Sequence, residues 1–384
     1  MKKIVIDGRM GQFGRVGIAE YFNNLVRALS EHHPDAELHI IQSAGAADAP
    51  VIGRINCTPH RIAPTYSQYG KREWWEQIEL PAFLDKLGAD IYHSPNYYLP
   101  FLKSTRAALA VTLYDASLFA TPAYYKFVHK TEGKFLIGHS AKKADAIIFG
   151  SGHAQSEFRH FLGDAIADKG RPIYIGLPEE VARLSSSEVG DVEAVKRKFG
   201  LTGRYIVTVG SVHPRKNYER LIEAMARPEL QAFELVICGA IAWKSEGVFE
   251  AIRKHRLEDR VKISGFVETA DMVALIRGAE VMAFPSLYEG FGIPPLEAFA
   301  LDVPVCASDV SSIPEVVGDA AVLFDPCSVE GMATALAKVA NDPVLKADLV
   351  AKGKARLATF SWEKCAQEHM AVYEQAISRK RQRA

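Results

Sequence analysis

Two glutamates, Glu289 and Glu297, are separated by seven residues in the run SLYEGFGIPPLEAFALDVPV (286–305). The first is followed by Gly290, Phe291 and Gly292, the second preceded by Ile293, Pro294, Pro295 and Leu296. The prolines suit the first turn of a helix, where a missing N–H costs little. Leu296, Phe299 and Ala300 then fall at helical spacing. Glu289 is therefore expected in the loop before the helix and Glu297 in its first turns. Glycines in that loop let a bulky ligand approach the backbone, and the N–H groups at the helix start attract anions. A loop of this shape can hold a sugar diphosphate, with Glu289 accepting hydrogen bonds from sugar hydroxyls and Glu297 from a ribose. Spacing alone leaves a second reading open: a surface glutamate and a first-turn glutamate favoured by the helix dipole.

A basic pair stands upstream. The run YIVTVG (205–210) reads as a buried strand ending at Gly210, and SVHPRKN (211–217) follows with Arg215 and Lys216. A departing diphosphate gains negative charge as its glycosidic bond breaks. Fixed cations at that point stabilise the transition state more than the ground state. Taken alone, the pair reads equally as a solvated turn.

Together the two runs resemble the signature of the retaining glycosyltransferases of family 4, whose pattern E-G-F-G-x-P-x-x-E-A is closely matched from Glu289 to Ala298. The resemblance implies the GT-B fold: α/β, two Rossmann-like domains facing a central cleft, with a C-terminal helix crossing back to the N-terminal domain. It implies a nucleotide-sugar donor held by Gly14, Gly210, Arg215, Lys216, Glu289, Gly290, Phe291, Gly292, Ile293 and Glu297. No obligatory metal and no cofactor are implied. The implied mechanism is front-face displacement, in which the donor phosphate accepts the acceptor proton, with Arg215, Lys216, Glu289 and Asp115 as catalytic residues. HSPNYYLP, TLYDASL, WKSEGVFEAI and SLYEGFGIPPLEAF resemble bacterial surface-polysaccharide mannosyltransferases. That texture points to GDP-mannose as donor and to a glycan or lipid-linked glycan as acceptor.

Composition sets outer bounds. The 384 residues suffice for two domains, and 48% are apolar, enough for large cores. A formal net charge of zero argues against nucleic acid as the main partner. Five scattered cysteines show no metal-ligand spacing and fit a reduced, cytoplasmic compartment. The N-terminal apolar run is too short for a signal peptide and reads as a strand. No apolar stretch is long enough to span a bilayer.

The positioning elements alternate. Strands are predicted at 3–7, 38–42, 90–93, 107–113 and 146–149, and again at 205–209, 234–238, 261–264, 281–284, 303–307 and 321–324. Helical spacing begins at Ile18, Tyr21, Phe22, Leu25, Val26 and Leu29. Strand and helix in alternation imply parallel sheets covered on both faces. The stretch 176–190 lacks periodicity and reads as the joint. The predicted domains are 1–180 for acceptor binding, 181–360 for donor binding, and 361–384 for a terminal helix with a basic tail. Ser361 is its expected N-cap. The tail, SRKRQRA, reads as a frayed solvated end or as a contact for anionic lipid.

In the first domain three loops should carry the acceptor, because ligands sit beyond the carboxyl ends of parallel strands. Gly11, Gly14 and Gly17 do not match the dinucleotide fingerprint, so NAD is rejected, and a phosphate- or acceptor-contacting loop is expected. His93 and Asn96 lie in HSPNYY, and Tyr114 and Asp115 in TLYDAS. Many family members have histidine where Tyr114 stands, which puts the donor-sugar contacts in question. The IYIGLP stretch (173–178) keeps only Gly176 of a family Asn-Gly pair. Residues 123–144 read as a basic amphipathic helix, either core-packed or a peripheral contact with the inner membrane leaflet. Two rival functions stay open: a non-catalytic nucleotide-sugar-binding partner, and a nucleotide-sugar epimerase of the same fold.

Overall fold

The computed structural model describes residues 1–13, 17–45, 53, 56–65, 68, 70–125, 127–186 and 192–383. The chain divides into two compact units, Met1–Gly176 with Phe360–Ala384, and Leu177–Thr359.

The first unit holds a parallel sheet of order β3-β2-β1-β4-β5-β6-β7. Its strands are β1 (Lys3–Asp7), β2 (Glu37–Ser43), β3 (Cys57–Ala63), β4 (Ile91–Ser94), β5 (Ala108–Leu113), β6 (Ala146–Phe149) and β7 (Gly170–Pro172). Alternation sets the two cores. Ile4 and Ile6 of β1 pack on one face with Phe22 and Leu25 of the helix Gly17–His32. Val5 faces the other way, toward Trp75, Leu84 and Leu109. β1 is buried from Ile4 to Asp7, so its register with β2, Lys3 opposite Glu37 through Asp7 opposite Ile41, cannot slip without moving apolar side chains to the wrong face.

The helix Trp362–Arg383 completes this unit. Cys365, Ala366, Tyr373 and Ala376 join the core beside Phe22. Ser361 accepts from the amide of Lys364 at 3.1 Å, which makes it the expected N-cap. The basic tail is ordered helix rather than frayed, and most of its residues are solvent-exposed. The helix runs to Arg383; Arg381 reaches Asp90 at 2.9 Å, and Lys380 and Arg383 stand 3.7 and 3.6 Å from Asp145.

The second unit repeats the plan in the order β10-β9-β8-β11-β12-β13, again all parallel. Its strands are β8 (Arg204–Val209), β9 (Phe233–Cys238), β10 (Val261–Gly265), β11 (Val281–Phe284), β12 (Val305–Ser308) and β13 (Ala321–Phe324). The stretch read as the joint contains a helix, Glu179–Ser185, whose last carbonyl accepts from Arg277 at 2.9 Å.

Two strands are absent from the sequence reading. β3, CTPHRIA, is an edge strand with four exposed residues, so it lacks an apolar period, and its Pro59 is tolerated at an edge. β7, GRP, is a three-residue edge strand. The helix expected over 123–144 is observed as Phe127–Lys143. Its buried stripe is Gly133, Ile137, Ser140 and Ala141, while Phe135 points outward among the lysines. Apolar and basic side chains are thus not gathered on opposite faces. Lys126 and the side chains of Phe127 and His129 lie outside the described residues. Among the described residues no helix is long and apolar enough to cross a membrane.

Candidate functional site

In an open parallel sheet, the strand order reverses at one point, and the loops there part to leave a crevice. In the second unit that point lies between β8 and β11, which pair at Ile206–Val281 and Val207–Met282. The loop after β8 carries Arg215 and Lys216; the loop after β11 carries Glu289. Fold topology thus brings the two sequence runs together.

The geometry is specific. Pro214–Lys216 form one 3-10 turn, started by His213, whose Nδ1 accepts from the Arg215 amide at 3.2 Å. Asn217 ends it at φ 59°, and its side-chain amide donates to the carbonyls of Pro285 and Pro326 at 3.1 and 2.8 Å. The Leu287 amide donates to Arg215 O at 2.8 Å, tying the two loops backbone to backbone. Arg215 Nη1 donates to Glu289 Oε2 at 2.8 Å and to the Tyr288 carbonyl at 2.5 Å. Lys216 Nζ donates to Glu289 Oε1 at 2.7 Å and lies 5.3 Å from the centre of the Phe284 ring. Burial by itself would push the Glu289 carboxyl up, but the charges of Lys216 and Arg215 outweigh it and hold the carboxyl down at about 2. Burial, then the same two cations, lower His213, so its ring stays neutral and its Nδ1 stays an acceptor.

Two glycines shape this crevice. Gly210 ends β8 at φ 142°, and a side chain there would come within 3.0 Å of the Lys216 Cε. Gly292 caps the helix Ile293–Ala300 at φ 115°, with both prolines in the first turn. Gly290 is half-buried, and Phe291 is buried. Glu297, on the second turn of that helix, is 93% enclosed, since its exposure is 7%. Ser311 and Ser312 grip the loop from the segment after β12. The Glu289 amide donates to Ser311 Oγ at 2.9 Å, and Ser312 Oγ reaches the carbonyls of Glu289 and Phe291, both at 2.9 Å. Sequence reading did not single out these serines.

The first unit scatters the remaining expectations. Asp115 is half-buried, and its Oδ1 accepts at 2.9 Å from the amide of Ser117, the first residue of the short helix that follows. Tyr114 packs inward: its hydroxyl donates to Pro95 O at 2.8 Å and its ring meets Tyr21 edge-on at 5.2 Å. Asn96 is half-buried in the loop after β4, and Gly17 is exposed at the start of its helix. Gly14 lies outside the described residues. Gly11 serves packing, because a side chain there would strike Phe22 at 2.3 Å.

His93 is a correction. It lies in β4, as the predicted strand has it, but it has no exposed surface, so it does not face an acceptor. Its ring belongs to a proton-ordered chain. His369 Nδ1 must donate to the Cys365 carbonyl at 2.7 Å, so its Nε2 accepts from Tyr21 OH at 2.6 Å. Tyr21 then accepts from Thr112 Oγ1 at 3.1 Å, Thr112 from His93 Nε2 at 2.8 Å, and His93 Nδ1 from Tyr373 OH at 2.7 Å. Both nitrogens of His93 are thereby occupied. Burial lowers His93 well below the ordinary histidine range and His369 to about 4, so both rings are neutral.

One buried cluster was missed. At the order reversal of the first sheet, between β1 and β4, Arg9 makes a two-pronged contact with Asp7, Nε to Oδ1 at 2.9 Å and Nη2 to Oδ2 at 2.6 Å. Its Nη2 also donates to Glu76 at 2.8 Å, and its guanidinium stacks 5.2 Å from the Trp75 ring. The signal was weak: a DGR triplet, with Glu76 remote in sequence.

Two parallel-sheet Rossmann-like units, with a basic pair and a buried carboxylate at one order reversal, are the architecture of the GT-B fold. Residues 191–356 match the family described as Glycosyl transferases group 1. The chain resembles bacterial mannosyltransferases. It is 29% identical over 287 residues to O-antigen chain mannosyltransferase B of Escherichia coli, covering 74% of each protein. It is 30% identical over 236 residues to the serotype-specific mannosyltransferase WbdA of Escherichia coli, covering 60% of this chain and 28% of that protein. Sucrose-phosphate synthase of Thermosynechococcus elongatus shares the fold with a TM-score of 0.79 at 19% identity, over 98% of this chain and all of that one (100%).

Proposed function

We propose that this protein is a retaining glycosyltransferase that moves mannose from GDP-mannose to a hydroxyl of a glycan or lipid-linked glycan during surface-polysaccharide assembly. The observation that carries the reading is the Arg215–Glu289–Lys216 cluster at the order reversal of the second sheet. Two fixed cations beside a glycine-capped helix start suit a diphosphate. The proposal gives the diphosphate's charge to Arg215 and Lys216 and requires no metal or cofactor. The names of the relatives, an O-antigen chain mannosyltransferase and a serotype-specific mannosyltransferase, support mannose and a polysaccharide product.

In the proposed step, the acceptor hydroxyl oxygen bonds to the sugar's anomeric carbon on the face that the leaving group departs. The bond from that carbon to the phosphate oxygen breaks, and its electron pair goes to the diphosphate. The hydroxyl proton passes to the departing phosphate oxygen. Arg215, Lys216 and the amides of Gly290–Gly292 stabilise the growing charge. Glu289 and Phe291–Ile293 hold the sugar, Glu297 the ribose, and Gly210 leaves room for Lys216. Gly14 and Gly17, with Asn96, Tyr114 and Asp115, remain proposed contacts of the first unit, and Asp115 is the proposed hydrogen-bond partner of the acceptor hydroxyl.

Calorimetric titration with GDP, UDP, ADP and their mannose, glucose and N-acetylglucosamine conjugates, with chelator present, tests this. Selective binding of GDP and GDP-mannose is expected. A preference for another nucleotide would overturn the donor assignment, and binding of none would overturn the site.

A further inference from the structure

The first unit contains a pocket of about 500 Å³, within the range of small-molecule sites. The segments that line it follow β3, β4 and β5, and the helix Phe127–Lys143 closes one side. None of the expected acceptor residues lines it.

Its chemistry differs from that of the second unit. Three carboxylates, Glu73, Glu76 and Glu132, face one guanidinium, Arg72. Arg72 pairs with Glu73, and Glu76 pairs with Arg9. Glu132 has no hydrogen bond or ion pair among the described residues, so the pocket carries an excess of negative charge. Phosphate is repelled by such a surface. Tyr98 also reaches the pocket, and its hydroxyl has no hydrogen bond among the described residues. Leu118 and Phe101 supply apolar wall between these polar groups. Gly133 keeps the wall open: a side chain there would meet Leu118 at 2.9 Å and stand 3.9 Å from the Tyr98 hydroxyl.

A carboxylate acceptor, a phenol that donates and accepts, and apolar surface between them fit one kind of ligand. It is neutral, bears several hydroxyls, and has C–H faces. We propose that this pocket binds a neutral sugar unit of the glycan acceptor, with Glu132 and Tyr98 hydrogen-bonding its hydroxyls. The assignment rests on the proposed transfer to a glycan. It also divides the labour by charge: the anionic donor meets the cations of the second unit, and the neutral acceptor meets the acidic pocket of the first.

The test is saturation-transfer NMR on the full chain with the methyl glycosides of mannose, glucose, galactose and N-acetylglucosamine. At least one is expected to bind, and Tyr98→Phe and Glu132→Gln are each expected to weaken it about three- to tenfold. Both variants should melt with the parent and keep its affinity for GDP. No binding by any glycoside, or equal binding by parent and variants, would overturn the assignment. So would octyl glucoside binding seen only through its alkyl protons, which would mark an apolar-tail site. Loss of GDP binding by the parent would instead indict the donor site, so the two failures are distinguishable.

Discussion

Lys216 Nζ and Glu289 Oε1 lie 2.7 Å apart although 73 positions separate them in sequence. Glu289 holds Arg215 with its other oxygen. One buried carboxylate thus orients both cations, and both keep it ionised. Glu289→Gln should leave the cations without their counter-charge. Free GDP is then expected to bind as tightly or more tightly, while turnover falls about a hundredfold or more. Weaker GDP binding by calorimetry would contradict that division of roles.

The same cluster has a pH signature. The Glu289 carboxyl is held at about 2, below its ordinary value of 4.5. A carboxyl lowered on folding adds stability that is fully present above the ordinary value and is lost as pH falls toward the folded one. Unfolding of the second unit should therefore become easier between about pH 4.5 and 2. The loss should be smaller in Glu289→Gln, measured by denaturant titration across that range.

Arg215→Ala should cut turnover about a hundredfold or more if Arg215 serves the departing phosphate as proposed. Arg215→Lys should recover part of it. Near-parental turnover in Arg215→Ala would remove the phosphate role. Glu297→Ala is expected to act on binding instead, weakening GDP about tenfold or more through loss of a charged acceptor.

Ser311 sits at φ 52°, a left-handed conformation that favours glycine. Its hydroxyl holds the Glu289 amide at 2.9 Å and reaches the Glu289 carbonyl at 3.1 Å. Ser311→Gly relieves the backbone, worth roughly 1 kcal/mol, and loses hydrogen bonds worth about as much. The melting temperature should hardly move, while GDP-mannose binds several-fold more weakly. A lower melting temperature with parental affinity would mean that the serine serves only the fold.

His93 and His369 are buried neutral in the first unit, with folded values below 6.5, that of His369 about 4. The unfolded chain takes up protons first, so stability falls as pH drops from about 6.5 toward 4, by about 1.4 kcal/mol per pH unit for each ring. Hydrogen exchange should show the terminal helix loosening in that window, because His369 and Tyr373 lie on it. Unchanged protection between pH 7 and 5 would contradict the buried chain of donors.

Contiguous chemistry was legible without coordinates. EGFGIPPLEA and HPRKN declare themselves because loop glycines, first-turn prolines and their charged neighbours are local requirements of a strand–loop–helix turn. Several strands were legible for the same reason: the interior strands β1, β6 and β11 and the edge strand β13 are short runs whose limits match the prediction. Strands β3 and β7 were not, since β3 carries four exposed residues and no apolar period, and β7 is only three residues long.

The sequence by itself determined most of the strands and helices, and which loops carry cations and carboxylates, because those depend on neighbours along the chain. Only the tertiary structure decided that Glu289 bridges Arg215 and Lys216, that Arg9 is locked between Asp7 and Glu76, and that His93 is enclosed rather than presented. The physical reason is common to all three. Each depends on strand order, which pairs segments remote in sequence, and on burial, which makes a charge or a ring nitrogen seek whatever partner that order supplies.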